Sequence, residues 1–218
     1  MKILVTGFDP FNQQDENPAG LIAQSLPDQI GGVAVVGREI PTQYRAATQA
    51  ILAAIREVGA THVLCLGMDG SRPGLCPETR GYNWADVSIA DNAGVKLTRQ
   101  LLEPDGPLAW HTTLSTPQAL AAAALAYGVP AEVSQDPGSF VCNNVTYELG
   151  YLLAQSSDLQ HVKYGFVHVP KLPGQRAPYT LPLDTMRRGV VAMLEHIVAE
   201  GAEGERGALP EQARRPHA

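Results

Sequence analysis

The chain has 218 residues, 44% of them hydrophobic, a net charge of -6 and a pI of about 5.5. That length and apolar content suit one domain with a sizeable core and exclude general disorder. No basic run tracks a phosphate backbone, which excludes nucleic acid as the expected partner. Three cysteines, Cys65, Cys76 and Cys142, are too few and too odd in number for a disulfide framework, which points to a reducing compartment. No apolar run reaches membrane-spanning length, and "MKILVTGFDPF" is too short for a secretion signal. A cytoplasmic protein of a single domain, residues 1–218, is the expectation.

In chain order, "KILVTG" (Lys2–Gly7) is a short apolar run closed by glycine, as in a buried strand. "NPAGLIAQSLP" carries Leu21, Ile22 and Leu26 at helical spacing and stops at Pro27. "GVAVVGREIP" (Gly32–Pro41) reads as a strand. "QYRAATQAILAAIREVG" (Gln43–Gly59) reads as an amphipathic helix with Tyr44, Ala47, Ile51, Leu52 and Ile55 on one face. "THVLCLG" (Thr61–Gly67) is the clearest strand. Strands alternating with helices over short connections imply α/β layers and a largely parallel sheet.

Met68 to Pro107 breaks the rhythm with frequent Gly and Pro and unusual polar groups, the mark of a functional or mobile segment. "TPQALAAAALAYGVP" (Thr116–Pro130) is an Ala-rich helix capped by Thr116, and "AEVS" a brief strand. "GSFVCNNVTYELGYLL" gives a helix from about Val141 to Ala154. "VKYGFVHVP" (Val162–Pro170) is another strand, and "LDTMRRGVVAMLEHIVAEG" (Leu183–Gly201) a last helix. Residues 201–218 are polar and bear Pro and Gly, as a flexible tail would.

Three residues carry chemistry. Cys142 stands at a helix start, where the positive end of the helix dipole favours negative charge and free N–H groups can receive an oxyanion. Its alternative reading is a small packing residue on a helix face, flanked by Phe140 and Val141. His168 lies near the end of an apolar strand, where α/β sheets bind ligands, and can serve there as a base for a thiol. Its alternative is a core histidine bonded to a carbonyl. Glu78 leaves the sheet after "THVLCLG" and can orient a histidine as the third member of a triad. Asp69, Asp86 and Asp91 compete with it, and Cys76 competes with Cys142. "GSRPG" lacks the Lys-Ser/Thr of a phosphate loop, "VTGFDPF" is not a dinucleotide fingerprint, and no histidine spacing suits a metal.

Taken together, "VTGFDPF", "GMDGSRPGLCPETRGYN", "ADNAG", "GSFVCNN" and "GFVHVPKLP" resemble the pyrrolidone-carboxylate peptidases, also called pyroglutamyl peptidase I, a cysteine peptidase family. The resemblance runs in order from Met1 to about Pro173. It implies a three-layer α/β/α sandwich around a twisted, mixed and mostly parallel sheet. It implies removal of N-terminal pyroglutamyl residues from peptides, no cofactor, and assembly as a homodimer or homotetramer. Position by position, it implies Cys142 as nucleophile, His168 as base and Glu78 as the acid. Phe8 and Phe11 match residues lining the pyroglutamyl pocket, with Thr42, Ile89, Phe140 and Val141 at further pocket positions.

The sequence departs from the family pattern in four places. The acidic segment reads "CPETRG"; "DVSIADN" puts Ser88 where the family has Arg and Ala90 where it has Pro; Met68 replaces a Gln; and "QDPG" precedes the nucleophile segment. Arg72 and Arg80 are the candidates to supply the missing cation. These departures motivate one alternative, a non-catalytic pyroglutamyl-peptide binder on the same scaffold. The sheet-and-cleft architecture also admits a nucleoside phosphorylase-like small-molecule enzyme.

Overall fold

The computed structural model describes residues 1–207. The first part of the chain forms β1 (Ile3–Phe8), α1 (Pro18–Gln24), β2 (Gln29–Ile30), β3 (Val33–Ile40), α2 (Ala46–Val58) and β4 (His62–Met68). Three short strands follow, β5 (Cys76–Pro77), β6 (Arg80–Tyr82) and β7 (Ala109–His111). Then come α3 (Pro117–Ala126), α4 (Val141–Gln155), β8 (Lys163–Val169) and α5 (Leu183–Gly207).

The main sheet has the order β2-β3-β1-β4-β8-β5. Its four central strands are parallel, and β2 and β5 add antiparallel edges. β6 and β7 pair as a separate antiparallel ribbon beside α4. Side chains alternate across the sheet with period two. Ile3, Val5, Leu64, Leu66, Val167 and Val169 join one core with α1, α3 and α5. Leu4, Val63, Cys65, Tyr164 and Phe166 join the other with α2 and α4. Both faces are covered, which is why these strands read as continuous apolar runs. The α/β/α sandwich with a mixed, mostly parallel sheet is therefore the observed fold.

The helix caps follow from the sequence. Asn17 Oδ1 accepts from the N–H of Ala19 and Thr116 Oγ1 from that of Ala119, each with proline at the first helical position. Some details differ from the sequence expectation. α2 begins at Ala46, so Tyr44 precedes the helix rather than lying on its face. The break is a tight turn at Arg45 (φ 57°, ψ -44°), closed by a bond from the Ala46 N–H to the Tyr44 carbonyl. "AEVS" makes only isolated bridges, Leu75–Ala131 and Glu78–Ser134. The last helix continues past Gly201 to Gly207, into the stretch expected to be a flexible tail; residues 208–218 of that stretch lie outside the described residues. Among the described residues no helix is long and apolar enough to cross a membrane.

Close approach of α1 to the sheet is set by Gly37 on β3. A Cβ there would sit 1.8 Å from the Ala23 carbonyl oxygen, so any side chain pushes α1 off its core. Gly37→Ala is expected to cost about 2–3 kcal/mol of stability, the upper range for overpacking. A urea titration checks this as a lowered midpoint at unchanged slope.

Candidate active site

Parallel pairing brings the carboxyl ends of β1, β4 and β8 to one edge of the sheet. Along β8 the alternation that turns Tyr164 and Phe166 toward α2 and α4 turns His168 the same way. α4 covers that face and begins with Val141 and Cys142. Cys142 and His168 thus meet where the strand ends under the helix start.

Glu78 arrives by a different route. After β4 the chain turns back and lays β5 antiparallel against β8, with Cys76 opposite His168 and Pro77 opposite Val167. The Glu78 N–H then donates to the Phe166 carbonyl at 2.9 Å. This puts Glu78 Oε1 2.8 Å from His168 Nδ1, with both side chains almost wholly buried. Nδ1–H is the tautomer that donates to the carboxylate, which leaves Nε2 for the sulfur. Burial is the largest single influence on His168 and pushes its pKa down. The charge and hydrogen bonding of Cys142, then those of Glu78, outweigh it and push the pKa up to about 10.

The competing acids have other work. Asp69 accepts from Ser71 and Arg72. Asp91 accepts from the N–H groups of Tyr44, Ala93 and Val95 and so fastens two loops together. Asp86 contributes its carbonyl, to the Ser139 hydroxyl. The competing thiol, Cys76, is buried, as is Cys65, and burial pushes both up to about 12.

The sulfur of Cys142 rests on bare backbone. A Cβ at Gly67, the residue paired with His168 across β4 and β8, would lie 2.8 Å from Cys142 Sγ and 2.7 Å from Phe166 Cζ. The start of α4 has no side-chain cap and no acidic residue in its first turn. The first-turn N–H groups of Val141, Cys142 and Asn143, which have no intrahelical acceptor, are left uncapped.

Around this centre, Phe11 faces Phe140 with ring centroids 5.7 Å apart, and Tyr44 meets Phe140 edge-on at 5.8 Å. Phe8 is 2% exposed and packs on Phe166 at 6.4 Å. The closest aromatic partner of Phe11 is therefore Phe140, not Phe8. Thr42 is buried, with its N–H and hydroxyl both on Asp9. Val141 is wholly buried, and Ile89 is partly exposed.

Ser88 is exposed. Of the two candidate cations, Arg72 stands beside the Glu78–His168 pair. Its Nη2 is 3.9 Å from Glu78 Oε1 and donates to the Asp136 carbonyl, and its Nε donates to Asp69 Oδ2 at 3.0 Å. Arg80 instead bonds Gln135 and stacks on Tyr82, and it lines a cleft with Thr112 and Ser115.

Sequence reasoning missed Gly67, Asn143, Asn144 and Tyr44. Asn143 is wholly buried, and its amide clamps the N–H of Tyr82 and the carbonyls of Tyr82 and Trp84 to the residue next to Cys142. Asn144 accepts from the Arg45 N–H at 3.2 Å and donates to Glu148. The available signal was two adjacent amides inside an otherwise apolar helix pattern, since buried polar groups there need fixed partners.

Comparison with known proteins gives the family. The family model described as "Pyroglutamyl peptidase" matches residues 1–200. The chain is 37% identical over 207 residues to the pyrrolidone-carboxylate peptidase of Staphylococcus saprophyticus, covering 93% of this chain and 96% of that protein. It is 40% identical over 209 residues to that of Streptomyces coelicolor, covering 93% and 94%. Among solved structures, Bacillus amyloliquefaciens pyroglutamyl peptidase I superposes with a TM-score of 0.85 at 28% identity, covering 91% of this chain and 97% of that one. The pyrrolidone carboxyl peptidase of the hyperthermophile Pyrococcus furiosus gives 0.84 at 28%, covering 92% and 99%.

Gly67→Ala is expected to displace Sγ from His168. It should slow alkylation of Cys142 by iodoacetamide about tenfold or more at neutral pH, with the far-ultraviolet spectrum unchanged. A pH dependence is expected as well. His168 has a folded pKa above its ordinary 6.5, so its stabilisation is fully present below about 6.5 and is lost as pH rises through about 10. The stability gap between the native chain and Glu78→Gln, measured in urea, is expected to be widest near pH 6 and to close toward pH 10. These expectations concern a site whose family is settled by the match: the matched residues span all the strands and helices described, up to the last turns of α5, and the chain belongs to the pyroglutamyl peptidase family.

Proposed function

We propose that this chain is a cysteine peptidase that removes N-terminal pyroglutamyl residues from peptides, with Cys142, His168 and Glu78 as its triad. The observation that carries the reading is the buried bond from His168 Nδ1 to Glu78 Oε1, on a ring whose charge Cys142 also holds.

In this mechanism Cys142 gives its proton to His168 Nε2, and the thiolate attacks the pyroglutamyl carbonyl carbon. Glu78 holds the ring in the Nδ1–H tautomer and stabilises the imidazolium. The uncapped N–H groups at the start of α4 receive the oxyanion, each worth about 3–4 kcal/mol in such a role. The imidazolium then protonates the leaving amine, and the thioester forms. Water, its proton taken by His168, hydrolyses the thioester and frees Cys142. Arg72 sets a positive charge beside the pair, in place of a cation at Ser88. No cofactor or metal takes part.

The pyroglutamyl ring is small, flat and uncharged. Phe11 and Phe140 offer it faces, with Phe8, Thr42, Ile89 and Val141 closing the rest of the pocket. A free α-amino terminus would bring a charge into these apolar walls without a partner, at a cost of several kcal/mol. Selection of blocked termini comes from that penalty as much as from attraction. Residues 1–218 act as one peptidase domain, and the working form is a homodimer or homotetramer. Three free thiols suit a reducing, cytoplasmic setting.

Cys142→Ser is expected to lower turnover of a pyroglutamyl-anilide by about a thousandfold or more, as removal of a triad nucleophile does elsewhere. Iodoacetamide should abolish the native activity to the same level. Near-native turnover in Cys142→Ser would remove the thiol from the mechanism, and pyroglutamyl-peptide binding without turnover in the native chain would favour the non-catalytic binder.

A further inference from the structure

A second cavity, about 270 Å³ in volume, lies along α4 on the side of Asn144 and Glu148. Val95, Leu97, Leu101 and Leu102 give it apolar walls, and the ring of Tyr44 borders it. Glu148 is 2% exposed and lines this cavity. Its Oε2 accepts from Asn144 Nδ2 at 3.1 Å. Its other oxygen has no donor among the described residues, yet it is not among the side-chain oxygens sealed inside the protein. It therefore opens onto the cavity.

No cation among the described residues serves Glu148. Arg45, which borders the cavity, has a side chain 68% exposed and turned to Glu103 at 3.7 Å and to the Leu102 carbonyl at 3.3 Å. A carboxylate offers about four acceptor positions, and here one is used. Such a group at the base of an apolar-walled cavity selects its ligand by charge. An anion is repelled, and a neutral apolar ligand would leave the carboxylate buried without a partner. A metal ion finds one carboxylate and no cluster of ligand groups among the described residues. An organic cation on an alkyl stem satisfies both parts: stem against the leucines and valine, head on Glu148, with the Tyr44 ring beside it. The volume is below the roughly 300–1,000 Å³ of sites for drug-sized ligands, so the ligand is the size of one side chain.

We propose that this cavity is a second binding site, for a small alkylammonium or alkylguanidinium group. The cation is either the side chain of a basic residue in the peptide substrate or a free amine. The cavity adjoins the triad through α4 and Tyr44. Asn144, which holds Glu148, also accepts from the Arg45 N–H, and the Tyr44 hydroxyl donates to the Ser139 carbonyl at 3.4 Å.

Calorimetric titration of the full chain with n-butylguanidinium tests this without any turnover, so its result is independent of the peptidase reading. Expected is saturable binding, none with n-butanol, and an affinity about tenfold lower or more in Glu148→Gln, as for loss of one hydrogen bond to a charge. Val95→Trp fills the cavity from an exposed position and should abolish binding with the carboxylate intact; it decides the matter if Glu148→Gln does not fold. Absence of saturable heat with the native chain, or equal affinity in native and Glu148→Gln chains, overturns the proposal. With the site established, competition identifies the source of the cation. Butylguanidinium that raises KM for pyroglutamyl-arginine peptides and not for pyroglutamyl-alanine peptides marks a substrate side chain. Equal effects, or none, mark a free amine.

Discussion

The buried pair of Glu78 and His168 is the constraint around which the rest of the site is arranged. Taking two ionisable groups out of water is costly, and their attraction offsets it only where geometry and further partners are good. Here the partners are few. Glu78 Oε1 carries both the His168 bond and the contact with Arg72, while Oε2 is sealed without a donor. Burial lowers the His168 pKa, and the Cys142 sulfur and then this carboxylate more than offset it. For stability alone, a well-packed apolar pair would serve as well or better. The arrangement makes sense as a device for holding a charged histidine.

That device dictates the local fold. Glu78 reaches His168 only because β5 runs antiparallel on the edge of an otherwise parallel core, which turns the chain back beside β8. The third member must then come from the helix layer, since β8 turns His168 away from α5. α4 is placed by Val141, Val145 and Leu149 on the sheet and by the Asn143 clamp on the β6 segment. Gly67 lets the helix start settle until the sulfur touches the strand. Each of these is a packing or hydrogen-bonding feature remote from chemistry by residue type, yet each helps set how Cys142, His168 and Glu78 meet. The tight turn at Arg45 belongs to the same set. A positive φ at a non-glycine residue costs about 1–3 kcal/mol, and the N–H groups of Tyr44 and Arg45, donating to Asp91 and Asn144, hold it in place.

Much of this was legible in the sequence. The apolar strands, the Thr116 cap, the α4 start and the place of His168 at a strand end follow from periodicity and position. The choice of Glu78 over Asp69, Asp86 and Asp91 was not legible from local chemistry, because β5 is two residues long and carries no periodicity; only the family resemblance selected it. The choice between Arg72 and Arg80 was closed to both, since Arg72 lies in the β4–β5 connection and Arg80 on β6, and only tertiary packing brings the first beside Glu78. The start of α2 was misjudged because Tyr44 continues the apolar spacing of the helix while its backbone is pinned outside it. Nothing in the sequence singles out Glu148, for a charge in an amphipathic pattern is usually solvated. Its burial depends on the loop carrying Val95 to Leu102, whose path nothing local encodes.

The three thiols show how one fold sorts identical groups. Cys65 lies in the middle of β4 between the two helices of its layer, and burial holds it as a neutral thiol. Cys76 is opposite His168 across the β5–β8 ladder, so it is near the same base in register, and Arg72 pulls its pKa down. Burial nonetheless wins there, with Glu132, Glu78 and Asp69 adding to it, and the thiol stays protonated. Cys142 alone is partly exposed, at an uncapped helix start with an imidazole beside it. Both residues lie near His168, but it is the Cys142 sulfur that bonds the ring, while Cys76 Sγ donates to the Gly74 carbonyl. What surrounds each sulfur differs as well: carboxylates around a buried thiol in one case, free backbone N–H groups and an open face in the other.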